Sequence, residues 1–440
     1  MGTYYVRKDG NDTTGDGSSA TPWLTVFKAI NTVPIAGNHI INVGPGTYAE
    51  ENATLKYLYV DRTFLNWVTI QAEDPANPPV IRGNGSADFT LRSDHTPTYY
   101  RWKNLIFDDT DAVGGKATAV IALTSGTATN HWEFDGCTIR FTQNQNNYRY
   151  GIFANLGATF VLDSITIKNC TFVEQGTDTT LKARAIRFNM NAAGGVMTNI
   201  IIQNCTALMT QSTPIDLIGV TDFLIDSGTY RSRDCYGLLI GTDGAGTYAQ
   251  SGTIRNAVVS STNSHALLVG GPCDNVTVTG CTISGGDQGF VFKNCGFTTG
   301  VTATNNQISG GSNNAFYCKG AKNVTASGNT IRNTAGVGFR VGVDSGTGNK
   351  CQNINFQRNK IFGTGTNGLL AWADDTGDSG GGVCNYNTYG PKGTNKFGGV
   401  RSDPEVLTLT ELKAAWSAYG DGSNDSHSRL LKRSRVKVRI

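Results

Sequence analysis

The residues best equipped for chemistry fall in one stretch of the chain. Lys182, Arg184, Arg187 and Asn189 are followed by Asp216, Asp222 and Asp234, with Tyr148, Arg149 and Tyr150 shortly before them. Two chemistries suit this set. Proton abstraction needs a base near neutral pH and a cation beside it to neutralise negative charge. Lys182, Arg184 and Arg187 could supply base and clamp, while Asp216 and Asp234 could hold an ion. Hydrolysis of a glycosidic bond instead needs two carboxylates, about 5–5.5 Å apart for retention and about 6.5–9.5 Å for inversion. Asp216 and Asp234 could serve, with Asp243 as a further candidate. Arg184, Asn189, Tyr148 and Tyr150 would then hold the substrate. The plain alternative is an ordinary salt bridge between Arg187 and Asp216, worth about 0–1 kcal/mol if exposed.

Other motifs carry less. Gly377-Asp378-Ser379-Gly380-Gly381 coincides with a serine-protease nucleophile motif, but that chemistry needs a His and an Asp upstream on antiparallel barrels. Gly114-Gly115-Lys116 lacks phosphate-loop spacing. The five histidines show no ligand spacing, and His265 is expected at a turn. Asp9 to Asp16, Asp374 to Asp378 and Asp421 to Asp425 could each bind Ca²⁺ through oxygen ligands, but none has EF-hand spacing and Asp/Gly turns need no metal. No cofactor is therefore assigned. Ten cysteines, none in CxxC, resemble neither a disulfide scaffold nor a zinc site.

What must position these residues is legible in the composition and in a repeat. The chain has 440 residues, 55 of them Gly, nearly twice ordinary usage, and only 16 % are charged. That excludes a coiled coil, while 38 % hydrophobic residues spread evenly exclude disorder. A membrane span is excluded by the absence of a long apolar run, and a net charge of +3 gives no footprint for nucleic acid. Two columns recur along the chain. One is a short apolar-x-apolar strand at Ile152, Ile186, Ile215, Leu238, Leu267, Phe290, Phe316, Phe339 and Leu369. The other runs Cys137, Cys170, Cys205, Gly228, Ala257, Cys281, Asn306, Asn329 and Asn359. Units this short, without a helical period, fit neither helical repeats nor propeller blades. They fit strands stacked in parallel one coil apart, about 4.8 Å away. The expected fold is all-β, a single parallel β-helix of roughly 10–12 coils, with Cys and Asn ladders inside its turns.

The ends read differently. Thr21-Pro22 followed by Trp23, Val26, Phe27 and Ile30 predicts a capping helix over 21–32. Thr408 and Glu411 form a capping box before Leu409, Leu412, Trp416 and Tyr419, which predicts a second cap ending at Gly420. The expected organisation is 1–36 as opening strand and cap, 37–400 as solenoid, and 401–440 as closing helix and basic tail. With Ile152 and its equivalents inward, the next residues point outward. There Leu239, Leu268, Val291 and Tyr317 form an apolar stripe where water is expected. A loop of the same chain or another subunit must cover it.

Tyr4-Tyr5-Val6, Gly10-Asn11-Asp12, Pro22-Trp23-Leu24-Thr25, Gly46-Thr47-Tyr48, Asn387-Thr388-Tyr389, Trp416 and Gly420 resemble the pectate-lyase-like right-handed β-helix proteins over essentially the whole chain. That group includes polysaccharide lyases, glycoside hydrolases, epimerases and phage tailspikes. The resemblance implies a right-handed solenoid, a carbohydrate ligand, reactive groups on the outward side of adjacent strands, and Lys or Arg as the base of a lyase. It also implies a homotrimer as one way to cover the stripe. No signal peptide precedes Met1-Gly2-Thr3-Tyr4. The leading expectation is a virion-associated tailspike or fibre-like protein that binds a surface polysaccharide and cleaves it if the site is catalytic, with the tail 428–440 as anchor. The alternatives are a secreted polysaccharide lyase or glycoside hydrolase, and a non-catalytic structural or decorating virion protein.

Overall fold

The computed structural model describes residues 1–49, 57–83, 89–109, 119–123, 128–142, 149–156, 159–175, 183–190, 195–241, 250–333, 336–344, 347–363, 369–373, 384–385, 387–389, 396–400, 403–406 and 429–430. The chain packs as two units, Met1–Ser232 and Arg233–Ile440.

In the first unit one turn of chain runs through three strands, for example Tyr150–Leu156, Val161–Lys168 and Thr171–Gln175, before Arg184–Met190 begins the next. Each strand pairs in parallel with its equivalent one turn on, so that Ile152 lies beside Ile186 and Ile186 beside Ile215. We call the three resulting sheets C, A and B, in the order the chain visits them. This is a parallel β-helix, and its interior follows from strand alternation. Ile152, Ile165, Ile167 and Ile186 are buried, as are Tyr100, Trp102 and Trp132, whose rings pack 4.9 to 6.0 Å apart.

The bend from sheet A to sheet B needs a left-handed backbone in each turn, and Asn104, Gly136, Asn169 and Asn204 supply it at φ of 55°, 66°, 56° and 50°. Gly and Asn are the residues that adopt this region at least cost. The bend turns the following side chain inward. Cys137, Cys170 and Cys205 sit there, with thiols donating to the carbonyls of Trp102, Phe134 and Ile167 at 3.4, 3.5 and 3.5 Å. The expected Cys ladder is therefore structural, and the nine cysteines with described side chains are all free.

The second unit repeats the plan. Leu238, Leu267, Phe290, Phe316 and Phe339 stack in register on sheet C. Asn306, Asn329, Asn359 and Asn387 form the expected ladder, fully buried. For each of the first three, the amide oxygen one coil on takes both its backbone N–H and one side-chain N–H, as Asn359 Oδ1 does for Asn329 at 2.9 and 2.9 Å. The second proton goes to a carbonyl, Ala303 in the case of Asn329, at 2.9 Å.

Three expectations are corrected. The first helix, α1, spans Val26–Thr32 rather than 21–32, because the Thr25 hydroxyl, not Thr21, caps it by accepting from the Lys28 N–H at 3.1 Å. Trp23 instead stays in the preceding loop, its indole donating to the Gly15 carbonyl at 3.0 Å. The partner of Phe339 is Ala371, two residues beyond the expected Leu369. A two-residue slip keeps inward parity, so alternation cannot detect it. Finally, Leu239, Leu268, Val291 and Tyr317 are only 8, 0, 2 and 5 % exposed in the single chain, with Tyr236 packed against them. The stripe is a buried satellite core, so it does not call for a second subunit. The predicted closing helix, and all but Arg429–Leu430 of the basic tail, lie outside the described residues.

Candidate functional site

The outward side of sheet C in the first unit carries the predicted basic and acidic residues. Parallel register sets Arg187 beside Asp216 and Phe153 beside Arg187. Arg184, at the start of the same strand, turns back toward the same acid. Arg184 Nε lies 3.1 Å and Arg187 Nη1 3.5 Å from Asp216 Oδ2. Arg184 also donates to the Ala183 carbonyl at 2.9 Å. Asp216 is 1 % exposed and its Oδ1 has no hydrogen-bond partner among the described residues. Burial pushes its carboxyl above the ordinary range, with the two guanidiniums opposing that shift. Two cations thus meet one buried carboxylate, and Arg187 keeps 22 % of its side chain open to water.

The flanking residues are tied to this face. Tyr150 begins a strand, is 7 % exposed and stacks on Phe153 with centroids 4.3 Å apart. The Arg187 guanidinium lies 5.7 Å from the Tyr150 ring centre. Arg149 is buried and pairs with Asp109 at 2.7 Å. Asn189 donates to Asn155 Oδ1 at 2.9 Å, bridging two coils. Asp222 belongs elsewhere, on the sheet A side, where it accepts from Thr198 at 3.4 Å. Lys182, Tyr148 and Asp243 lie outside the described residues, as do Gly114–Lys116 and the segment 374–383.

Asp234 belongs to the second unit, with partners of its own: Arg233 at 2.8 Å and the Asn263 amide at 2.6 Å. That unit also holds a cluster the sequence did not reveal. Asp344 is 2 % exposed, accepts from Asn294 at 2.6 Å and Thr347 at 3.0 Å, and lies 3.1 Å from Lys319 Nζ. Burial opposes its ionisation, but the bonds from Asn294, Lys319 and Thr347 and the charge of Lys293 outweigh it and hold the carboxyl well below the usual range. Lys293 and Lys319 pair across sheet C, so their column was readable; Asp344, in an irregular connection, was not.

Of the three acidic loops, Asp374 to Asp378 and Asp421 to Asp425 lie outside the described residues. In the Asp9 to Asp16 loop, Asp12 accepts from the Leu24 and Thr25 N–H groups at 2.8 and 3.1 Å, and Asp16 from the Ser18 N–H at 2.9 Å. No group of three or more His, Cys, Asp or Glu side chains with metal-binding geometry occurs among the described residues. No helix among them is long and apolar enough to cross a membrane. The described residues of this face thus set two guanidiniums, of Arg184 and Arg187, against the one buried carboxylate of Asp216.

Residues 227–379 match a family model described as a right handed beta helix region. No curated protein matches the sequence. Among solved structures, pectate lyase Pel9A is similar at 14 % identity and a TM-score of 0.47, over 75 % of this chain and 78 % of that one. A rhamnogalacturonan lyase is similar at 13 % and 0.43, over 80 % and 84 %, and the Dettilon tailspike protein at 11 % and 0.40, over 90 % and 68 %. At these scores the likenesses assign no chemistry. With strands laddered in parallel turn upon turn, and with that model matched, the protein is a right-handed parallel β-helix.

Proposed function

We propose that the protein binds a polysaccharide, and specifically one bearing acidic groups, along the outward side of sheet C in its first unit. The observation that supports this is the convergence of Arg184 and Arg187 on the single carboxylate of Asp216. One negative charge for two positive ones leaves a net cation, and a planar guanidinium suits a carboxylate or sulfate on a sugar. Asp216, at 1 % exposed, is a positioning residue in this reading rather than one that touches sugar. The reading carries with it a virion-borne or extracellular location, tailspike-like or secreted. It does not require an oligomer, since the apolar stripe is already covered.

Cleavage of the bound polymer is a separate step, for which Lys182 remains the proposed base. The test is incubation of the full chain with acidic and neutral polysaccharides, following both reducing ends and the ultraviolet absorbance of an unsaturated product. New ends with absorbance mean a lyase, and Lys182→Ala should then abolish both. New ends alone mean hydrolysis, and the carboxylates become the variants to make. Retention of the polymer with neither signal leaves a binding protein.

A further inference from the structure

A second surface lies on sheet A of the first unit, away from the arginines of sheet C. In six turns of this sheet one position takes a left-handed backbone; Trp67, at the equivalent place in the strand Thr63–Ala72, does not. The left-handed position is occupied by Asn38, Tyr99, His131, Ser164, Asn199 and Asp222, with φ between 53° and 65°. Asn, Asp and Ser are small and bond their own backbone, which suits them to that region. Tyr99 is not small. A bulky ring at φ of 65° is strained, and such strain concentrates where a side chain is needed for something other than folding; His131, at 56°, is a residue that enters this region more readily.

The two rings do not stand alone. Tyr99 stacks on His131 with centroids 4.5 Å apart, and Trp67, one coil earlier, meets Tyr99 edge-on at 5.7 Å. All three are half-buried, so a row of aromatic surface crosses three successive coils. Beside it runs a row of planar polar groups. The Arg101 guanidinium lies 4.8 Å from the Trp67 ring centre, and its Nε donates to Glu133 Oε1 at 2.8 Å. Lys168 Nζ stands 3.2 Å from the same oxygen. Asn38, Ile40, Trp67, Thr69 and Arg101 line a groove of about 480 Å³ that opens on this surface.

We infer that the Trp67–Tyr99–His131 row and the adjoining groove form a glycan-binding subsite on sheet A. A sugar ring has the matching character: an apolar C–H face for the half-buried aromatic row, and hydroxyls at its rim for Arg101, Glu133, Thr69 and Asn38. The row runs across the coils, perpendicular to the strands, so a chain lying on it meets one ring per coil. This subsite rests on the polysaccharide reading for its class of ligand and differs from it in face and residues.

The test uses a printed array of defined acidic and neutral oligosaccharides, probed with the full chain and with Tyr99→Asn, His131→Asn and Arg187→Ala. Asn suits the left-handed position, so the first two variants should hold or raise the thermal midpoint. They should also lose about tenfold in affinity on the spots that the parent retains, which is what one stacking contact commonly supplies. Loss of binding together with an unchanged or raised midpoint supports the subsite. Unchanged binding in both Asn variants overturns it, and a loss in Arg187→Ala on the same array would leave the sheet C reading standing. An array on which the parent retains nothing overturns both.

Discussion

Asp216 has two guanidiniums within 3.1 and 3.5 Å of one oxygen and, among the described residues, no hydrogen-bond partner on the other. Removing its charge strands Arg184, whose side chain is 12 % exposed. Asp216→Asn should therefore cost about 2–4 kcal/mol in denaturant unfolding, close to what breaking a buried ion pair costs. Its pH signature has a definite sign. Native Asp216 keeps its proton above the pH at which the unfolded chain releases it, so folding takes up a proton in that interval and stability falls as pH rises through it. Asp344 has the opposite sign. Its carboxyl is depressed in the folded state, so its contribution is complete above the ordinary carboxylate pKa and is lost as pH falls below it. Unfolding midpoints measured against pH should show a shallower acid-side decline in Asp344→Asn and an unchanged one in Asp216→Asn; the remainder comes from Asp16 and Glu73, whose carboxyls are also held low. The sheet C pair was legible because Arg187 and Asp216 hold the same place in successive repeats. The burial of Tyr150 was not, since it rests on packing against Ala119, Ala122 and Phe153 across neighbouring strands, and the cluster at Asp344 was not, since no periodicity constrains the path of its connection.

Ladders at the corner from sheet A to sheet B make an element-scale prediction. Asn329 accepts two bonds and donates two, all buried, so Asn329→Ala orphans several polar groups at once. A loss of about 3 kcal/mol is expected in chemical denaturation. From the equivalent position Cys170 has a single weak S–H donor, with the Phe134 and Lys168 carbonyls at 3.5 and 3.2 Å. Cys170→Ala should cost about 1 kcal/mol, and equal costs for the two variants would mean that the amide network contributes little. Both ladders were readable in the sequence because the residue after a left-handed bend must face inward wherever the bend recurs. The start of α1 was misread because Thr21-Pro22 and Thr25 are equally good caps in isolation. Packing of Trp23 against the opening loop decided between them. The last register was missed by two residues because parity alone does not count residues in a turn.

Across the whole molecule, a solenoid's stability is a sum of coil and neighbour terms, and satellite clusters outside the core add to it. The stripe of Leu239, Leu268, Val291 and Tyr317 is such a cluster. Leu268→Ala should cost about 2–4 kcal/mol, with a thermal midpoint independent of protein concentration. A midpoint that rises with concentration, and stops doing so in Leu268→Ala, would return the stripe to a subunit interface. The central claim is that Arg184 and Arg187 hold an acidic polysaccharide. It is tested most directly by affinity electrophoresis of the full chain through gels containing one acidic or one neutral polysaccharide at a time. Retardation by an acidic polymer, weakened by salt and by Arg187→Ala, is the predicted result. Retardation by none, or retardation that Arg184→Ala and Arg187→Ala leave unchanged, would contradict it.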